Sequence, residues 1–299
     1  MLQASSAPGP DAASPRRRGT ESQPRRWTIR AGVRALTAFV MIAAAPGAWA
    51  QAPAPWPADA PRARTDANSQ QAHLDLLAKA AKGGVDLYFV GDSIARRWGT
   101  SDAAYASYLE NWKQNFWGWN AGDFAWGADR TENILWRLEN GELDNVNPKV
   151  IVILAGTNNV GTRPGDAAKV EDVVRGLKAI VDKCLEKAPR ATVILTAIFP
   201  RNDNLAVVPT IAAINARLAT LADGRRVRFL NVNDKLADKD GVLFDGMMNA
   251  DKLHPAVPGY QVWADGLKPI LTELLGPRAA TDHAPPPTGD PSASRPRSN

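Results

Sequence analysis

Three short stretches of this chain carry residues whose types and spacing could do chemistry. Gly91-Asp92-Ser93 follows the apolar run Val85-Asp-Leu-Tyr-Phe-Val90, Gly156-Thr157-Asn158-Asn159 follows Val150-Ile-Val-Ile-Leu154, and Asp251-Lys-Leu-His254-Pro255 comes near the end of the chain, after the last strand-like run. A serine hydroxyl becomes a nucleophile when a base takes its proton. Histidine is the side chain best suited to take and return that proton near neutral pH. An aspartate three residues earlier can orient the ring and stabilise the imidazolium. An asparagine at a strand tip can aim its amide at a neighbouring tip, where it joins backbone N–H groups as a donor to a tetrahedral oxyanion. Each stretch also has a plainer reading. A serine after a strand commonly caps a helix, an asparagine there makes a cap or turn, and a single histidine can be an ordinary loop residue. Taken together they supply a nucleophile, a base, an orienting acid and oxyanion donors, all that an acyl-transfer site needs.

The chain has three histidines. His283 falls in a Pro/Ser/Thr/Arg-rich tail and His73 in a polar helix-like stretch ahead of the first strand. Only His254 combines a nearby acid with a position after the last strand. Cys184 is the sole cysteine. It lies in the helix-like Val181–Lys187 and reads as a structural thiol; one cysteine forms no internal disulfide. No His/Cys spacing suggests a metal site, so neither metal nor cofactor is expected.

The elements that must position these residues alternate. Val85–Val90, Val150–Leu154, Ala191–Thr196 and, more weakly, Val227–Val232 are short runs that suit strands buried on both faces. Between and after them, apolar residues recur at helical spacing in Thr131–Leu138, Asp166–Lys187, Val207–Leu221 and beyond Pro258. Strand–helix alternation implies an α/β sandwich on a mostly parallel sheet. Ligands of such sheets bind at the carboxyl ends of the strands, where Ser93 and Asn158 stand.

In this setting the sequence resembles the SGNH, or GDSL, hydrolase superfamily. Its four blocks stand as Gly91-Asp-Ser93, Trp126-Gly-Ala-Asp-Arg-Thr131, Gly156-Thr-Asn158 and Asp251-Lys-Leu-His254, in the family's order. Leu135-Trp-Arg-Leu-Glu-Asn-Gly-Glu-Leu143, Pro148-Lys-Val-Ile-Val152, Gly156–Asn159 and Phe199-Pro-Arg201 are similar to the branch of platelet-activating-factor acetylhydrolase catalytic subunits and their bacterial relatives. The resemblance covers about 85–275. It implies a flavodoxin-like three-layer α/β/α sandwich and an ester hydrolase acting through an acyl-enzyme. Ser93 would be the nucleophile, His254 the base and Asp251 its partner. The oxyanion donors would be the Ser93 N–H, the N–H of Ala128 just before Asp129, and the Asn158 side chain. Where the family usually has glycine this chain has Ala128, with Gly127 one place earlier. Alanine serves if φ is negative; if the turn needs φ > 0, alanine is costly and Gly127 could take the role. The branch favours short acyl groups, acetyl above all.

Other features bound the function. Hydrophobic residues make up 44% of the 299, enough for a sizeable core. Seven of the 36 basic residues and two of the 31 acidic ones lie in residues 1–50, which leaves 29 of each in the rest. The basicity belongs to the leader, and nothing points to nucleic acid. That leader joins an Arg-rich stretch, the apolar run Ala35–Ala45 and the small-residue pattern Ala48-Trp49-Ala50, the order of a cleavable signal peptide. Its apolar run is about half of the ~20 residues a membrane span needs, so export without a stable membrane anchor is expected, to the periplasm or beyond. Pro24–Arg30 loosely resembles a twin-arginine signal, and the export route stays open. Residues 51–68 read as a Pro/Ala-rich linker, 69–275 as the hydrolase domain and 276–299 as a disordered tail. The tryptophans at 112, 117, 119 and 126 could stack on an acetylated sugar or simply pack the core. The expected partner is thus a small-molecule or carbohydrate ester. A different class remains: an exported, non-catalytic binding protein holding a sugar or acyl group at the same edge. A nucleotide site is disfavoured, because no Gly-x-Gly-x-x-Gly or Gly-Lys-Ser pattern follows a strand.

Overall fold

A computed structural model of the chain describes residues 56–294. The proposed signal peptide, the start of the linker and the last five residues lie outside the described residues. The elements, in chain order, are α1 (Ala67–Ala80), β1 (Leu87–Gly91), α2 (Ser93–Gly99), α3 (Ala106–Phe116), β2 (Ala121–Asp123), α4 (Thr131–Arg137), β3 (Val150–Leu154), α5 (Thr157–Val160), α6 (Ala167–Lys187), β4 (Thr192–Thr196), α7 (Val208–Ala219), β5 (Val227–Leu230) and α8 (Val257–Leu275).

The five strands form one parallel sheet in the order β2-β1-β3-β4-β5. This is the doubly wound flavodoxin-like order, whose switch point falls between β1 and β3. The continuous apolar runs are explained by two covered faces. Tyr88, Val90, Ile151, Ile153, Val193 and Leu195 turn to an aliphatic layer built by α1, α4, α6 and α7. Leu87, Phe89, Val150, Val152 and Leu154 turn to an aromatic layer of Trp98 (α2), Trp112 and Phe116 (α3), and Tyr260 and Trp263 (α8). The fold is therefore the expected three-layer sandwich. Only β2, three residues long and containing Gly122, carried no apolar run and was missed by pattern.

The boundaries expected at both ends of the domain need correction. Residues 56–68, read as linker, are laid on the domain: Ala58 is fully buried, its carbonyl accepts from Thr131 Oγ1 at 2.7 Å, and Arg62 N–H donates to Glu132 O at 2.9 Å. Residues 276–294, read as a disordered tail, form a strap. Asp282 accepts the N–H groups of Gly118 and Asn120, Ala279 N–H donates to Gly118 O, and Thr288 O accepts from Ser101 and Thr100. Lack of large apolar residues means only that a segment cannot form a core of its own. Its polar groups can still satisfy exposed loop backbone, and Pro285–Pro287 line a pocket together with Trp112 and Phe116.

Candidate active site

Ser93 does not cap its helix; it begins it. Asp92 is the N-cap, with Oδ1 accepting the Ile94 N–H at 2.9 Å. Ser93 is thereby left at the first helical position, where its own N–H has no intrahelical acceptor. Gly91, the last residue of β1, is fixed by proximity: a Cβ there would lie 2.1 Å from Leu154 O on β3. The tight β1–β3 pairing brings the Ser93 turn and the Asn158 turn side by side.

The third stretch arrives from the loop before α8. Asn249 holds this loop by accepting Tyr108 Oη–H on its Oδ1 and donating from Nδ2 to the carbonyls of His254 and Pro255. Lys252 takes φ = +53° to close the turn. Tyr260 Oη–H, at the start of α8, donates to Ile94 O at 2.7 Å and so ties α8 to α2.

In this frame His254 Nε2 lies 2.8 Å from Ser93 Oγ, and His254 Nδ1 lies 2.8 Å from Asp251 Oδ2. Asp251 Oδ1 accepts the N–H groups of His254 and Leu253. Partial burial works against the charge of Asp251, but these two N–H groups and the imidazole outweigh it, and the carboxyl is pulled down to about 2. His254 is buried, and burial is the main cause of a pKa below its usual 6.5. The Arg97 guanidinium, 3.4 Å from Asp251 Oδ2, pushes in the same direction, while Asp251 opposes it. A neutral imidazole between a serine and a charged carboxylate is the state a general base needs.

Asn158 stands at the first turn after β3. Gly156, at φ = +106°, makes that turn; a Cβ there would meet Ile198 at 2.9 Å. Asn158 Nδ2 donates to Asp129 O at 2.8 Å. The turn 126–130 is drawn beside the serine because Trp126 N–H donates to Gly91 O. Within it Ala128 is exposed, at φ = +62°, and its N–H has no acceptor among the described residues. The turn therefore does need φ > 0. Gly127 does not have positive φ, so the strain falls on the alanine. Ser93, Asp251, His254, Asn158 and Ala128 thus share one edge of the sheet.

Several neighbours take contacts that the sequence does not assign them. Arg201 donates to Thr157 Oγ1 at 3.0 Å and holds α5. Asn159 accepts the Thr131 N–H on its Oδ1, which fixes α4. His73, outranked by His254, is buried with Nδ1 2.7 Å from Glu142 Oε1. Arg137 pairs with Asp129 and Glu142, all three buried. Arg137 and Glu142 lie among the leucines of Leu135–Leu143, but nothing in that mixed stretch marks them as buried while Glu139 is not. Cys184 is fully buried, and burial pushes its thiol up to about 12. Of the four tryptophans, 112, 119 and 126 are buried and Trp117 is half exposed, which leaves Trp117 alone as a stacking face. An apolar pocket of about 500 Å³ between α7 and the 233–244 loop touches neither Ser93 nor His254. Among the described residues, no cluster of His, Cys, Asp or Glu is placed to hold a metal ion, and no helix is long and apolar enough to cross a membrane.

The site agrees with what the chain is similar to. The model of the GDSL-like lipase/acylhydrolase family matches residues 89–262. Platelet-activating factor acetylhydrolase IB subunit alpha1 of Bos taurus is 30% identical over 80% of this chain and 97% of its own length. The alpha2 subunit of Homo sapiens is 32% identical over 64% of this chain and 77% of its own length. A solved GDSL-like lipase of Bacteroides thetaiotaomicron superposes with a TM-score of 0.54 at 19% identity, over 67% of this chain and 97% of that one, a likeness of fold. With Ser93 of Gly-Asp-Ser set against its histidine at the switch point of this sheet, the chain belongs to the GDSL-like lipase/acylhydrolase family.

Proposed function

We propose that the protein is a serine esterase that cleaves short-chain, chiefly acetyl, esters through an acyl-enzyme. The observation that carries this reading is the 2.8 Å contact of Ser93 Oγ with His254 Nε2, continued at 2.8 Å to Asp251. A protein that only bound a sugar or an acyl group would have no use for a neutral imidazole on a serine hydroxyl. His254 takes the Ser93 proton as Oγ adds to the ester carbonyl. The N–H groups of Ser93 and Ala128 and the second Nδ2 hydrogen of Asn158 receive the oxyanion, each contributing about 3 kcal/mol to lowering the barrier. On collapse, the carbon–oxygen bond to the alcohol breaks and the alcohol leaves with the proton from His254. Water, deprotonated by His254, then adds to the acyl-serine; the bond to Ser93 Oγ breaks, Oγ takes the proton back from His254, and the acid is released.

The preference for acetyl rests on the acetylhydrolase relatives and on the separation of the large apolar pocket from the triad. Export rests on the leader at residues 1–50; N-terminal sequencing of the mature protein should begin near Gln51. Hydrolysis of p-nitrophenyl acetate by the protein and by Ser93→Ala is the primary test, and equal rates would remove Ser93 as the nucleophile. Acetate should be turned over faster than octanoate; the reverse order would refute the short-acyl reading.

A further inference from the structure

An oxyanion donor is useful only if it stays where the charge will develop, and Asn158 is held by a backbone atom. Its Nδ2 gives one hydrogen to Asp129 O at 2.8 Å. A carbonyl can only accept, so this contact also fixes which end of the amide faces the turn. The other Nδ2 hydrogen is left for substrate. The place of Asp129 O is therefore the place of the donor.

Asp129 O belongs to a turn that does not rest in its conformation freely. Ala128, the preceding residue, sits at φ = +62°, where a Cβ is unfavourable. What holds the turn lies underneath it. Arg137, on α4 and 4% exposed, donates from Nη1 to Phe124 O at 2.9 Å and from Nε to Asp129 Oδ2 at 2.7 Å. One planar guanidinium thus spans the loop from its first residue after β2 to the residue that anchors Asn158. Arg64 reaches the outer side of the same loop, at Gly127 O and Asp129 Oδ1. Behind Arg137 stands Glu142, fully buried, which pairs with it and receives His73 from α1.

Burying a row of charges is a poor way to gain stability. The desolvation cost offsets most of the attraction, and apolar residues of the same volume commonly do as well. Burial indeed pushes the Asp129 carboxyl up to about 6 even against Arg137. What the charges give here is direction: a forked donor fixes two acceptors at set positions. We propose that Asp129 and Arg137 are positioning residues for the oxyanion hole, acting through the Asp129 carbonyl on Asn158. The proposal rests on the esterase reading above.

The test is a double-mutant cycle on the full chain with p-nitrophenyl acetate, with rates normalised to folded protein by near-UV circular dichroism. Asn158→Ala should lower kcat by about 10²–10³-fold. Asp129→Asn keeps the shape but loses the pairing with Arg137; it should lower kcat by about 10–100-fold with KM within threefold. In the Asn158→Ala background most of that second loss should vanish, because the residue acts through the amide already removed. A residue that served stability alone would lower Tm and leave kcat per folded molecule unchanged. Losses that multiply in the double variant, or a kcat for Asp129→Asn within threefold of the parent, would overturn the proposal. If Asp129→Asn does not fold, Arg137→Lys carries the same criteria, since it keeps the cation but cannot span Phe124 and Asp129. Ser93→Ala runs beside these variants. If it matches the parent, the esterase reading fails and takes the proposal with it. If the parent is active, Ser93→Ala inactive and the cycle multiplicative, only the proposal fails.

Discussion

The site has two arms built on opposite principles. The acid–base arm spans four residues of one surface loop, and its carboxylate is 43% exposed. Backbone N–H groups from its own turn keep Asp251 charged, at a pKa of about 2. The oxyanion arm runs from His73 to Asn158 and is buried along most of its length. There burial raises the Asp129 carboxyl to about 6, and an arginine is needed to hold it. In the proposed mechanism the difference follows from what each arm does. The base must exchange protons with substrate and water, and although His254 itself is buried, the loop that carries it and Asp251 lies at the surface. The oxyanion donors must not move as charge develops, because reorganisation would return the barrier they remove.

The largest expected effects separate the arms by rate. In the acid–base arm His254→Ala should lower kcat on p-nitrophenyl acetate by on the order of 10⁶-fold, and Asp251→Ala by about 10⁴-fold. In the oxyanion arm no single loss should exceed that of Asn158→Ala, about 10²–10³-fold, because the remaining donors still hold the oxyanion. Steady-state rates on equally folded variants check the ranking. If Asn158→Ala cost as much as His254→Ala, the arms would not be separable in this way.

The arms also differ in how far the sequence discloses them. Asp251-Lys-Leu-His254 could be read directly because its geometry is local: three residues of a turn place acid and imidazole together. Ser93 and Asn158 were legible one step further out, since β-branched runs reveal strands and the parallel-sheet rule puts their exits on one edge. The row Asp129, Arg137, Glu142 and His73 was not: Asp129–Arg137 and Arg137–Glu142 are only 8 and 5 residues apart, but nothing local marks these charges as buried, and the outer contacts, Asp129 with Asn158 and Glu142 with His73, span 29 and 69 residues. The left-handed turn at Lys252 was equally hidden, since lysine does not favour φ > 0, whereas that at Ala128 was raised as one of two alternatives by the glycine usual at its place. Nor did composition reveal the strap at 276–294, whose attachment is by hydrogen bonds that leave no periodicity.

A smaller effect probes the acid–base arm. Burial first and Arg97 second depress the His254 pKa. The imidazole must be neutral to accept the serine proton, so the acidic limb of kcat/KM should lie below 6.5, the ordinary histidine value. Arg97→Gln removes a cation that disfavours imidazolium. The folded-state pKa then rises, and the limb should move to higher pH. A pH–rate profile of the two proteins checks the sign; a limb that moved to lower pH would mean that Arg97 acts mainly by shaping Asp251 rather than through its charge.

The smallest effect concerns strain. Ala128 in the oxyanion turn sits at φ = +62° and Lys252 in the acid–base loop at φ = +53°. A left-handed conformation costs an L-residue roughly 1–2 kcal/mol, and glycine avoids it. Glycine also gives the unfolded chain more freedom, which takes back about 0.5–1 kcal/mol. Ala128→Gly should therefore stabilise the protein by about 0.5–1 kcal/mol. Because the side chain is exposed, no packing is lost in exchange. At this size of domain the gain is a rise of about 1–4 °C in Tm, read from a thermal melt. Lys252→Gly should give a rise of the same order, since the penalty is local to the residue and independent of what braces the loop around it. The backbone donor survives in Ala128→Gly, so its rate should change far less than that of Asn158→Ala. A lower Tm for Ala128→Gly would mean that the buried Arg137 clamp alone does not hold the turn and that the alanine's smaller conformational freedom contributes more than its strain costs.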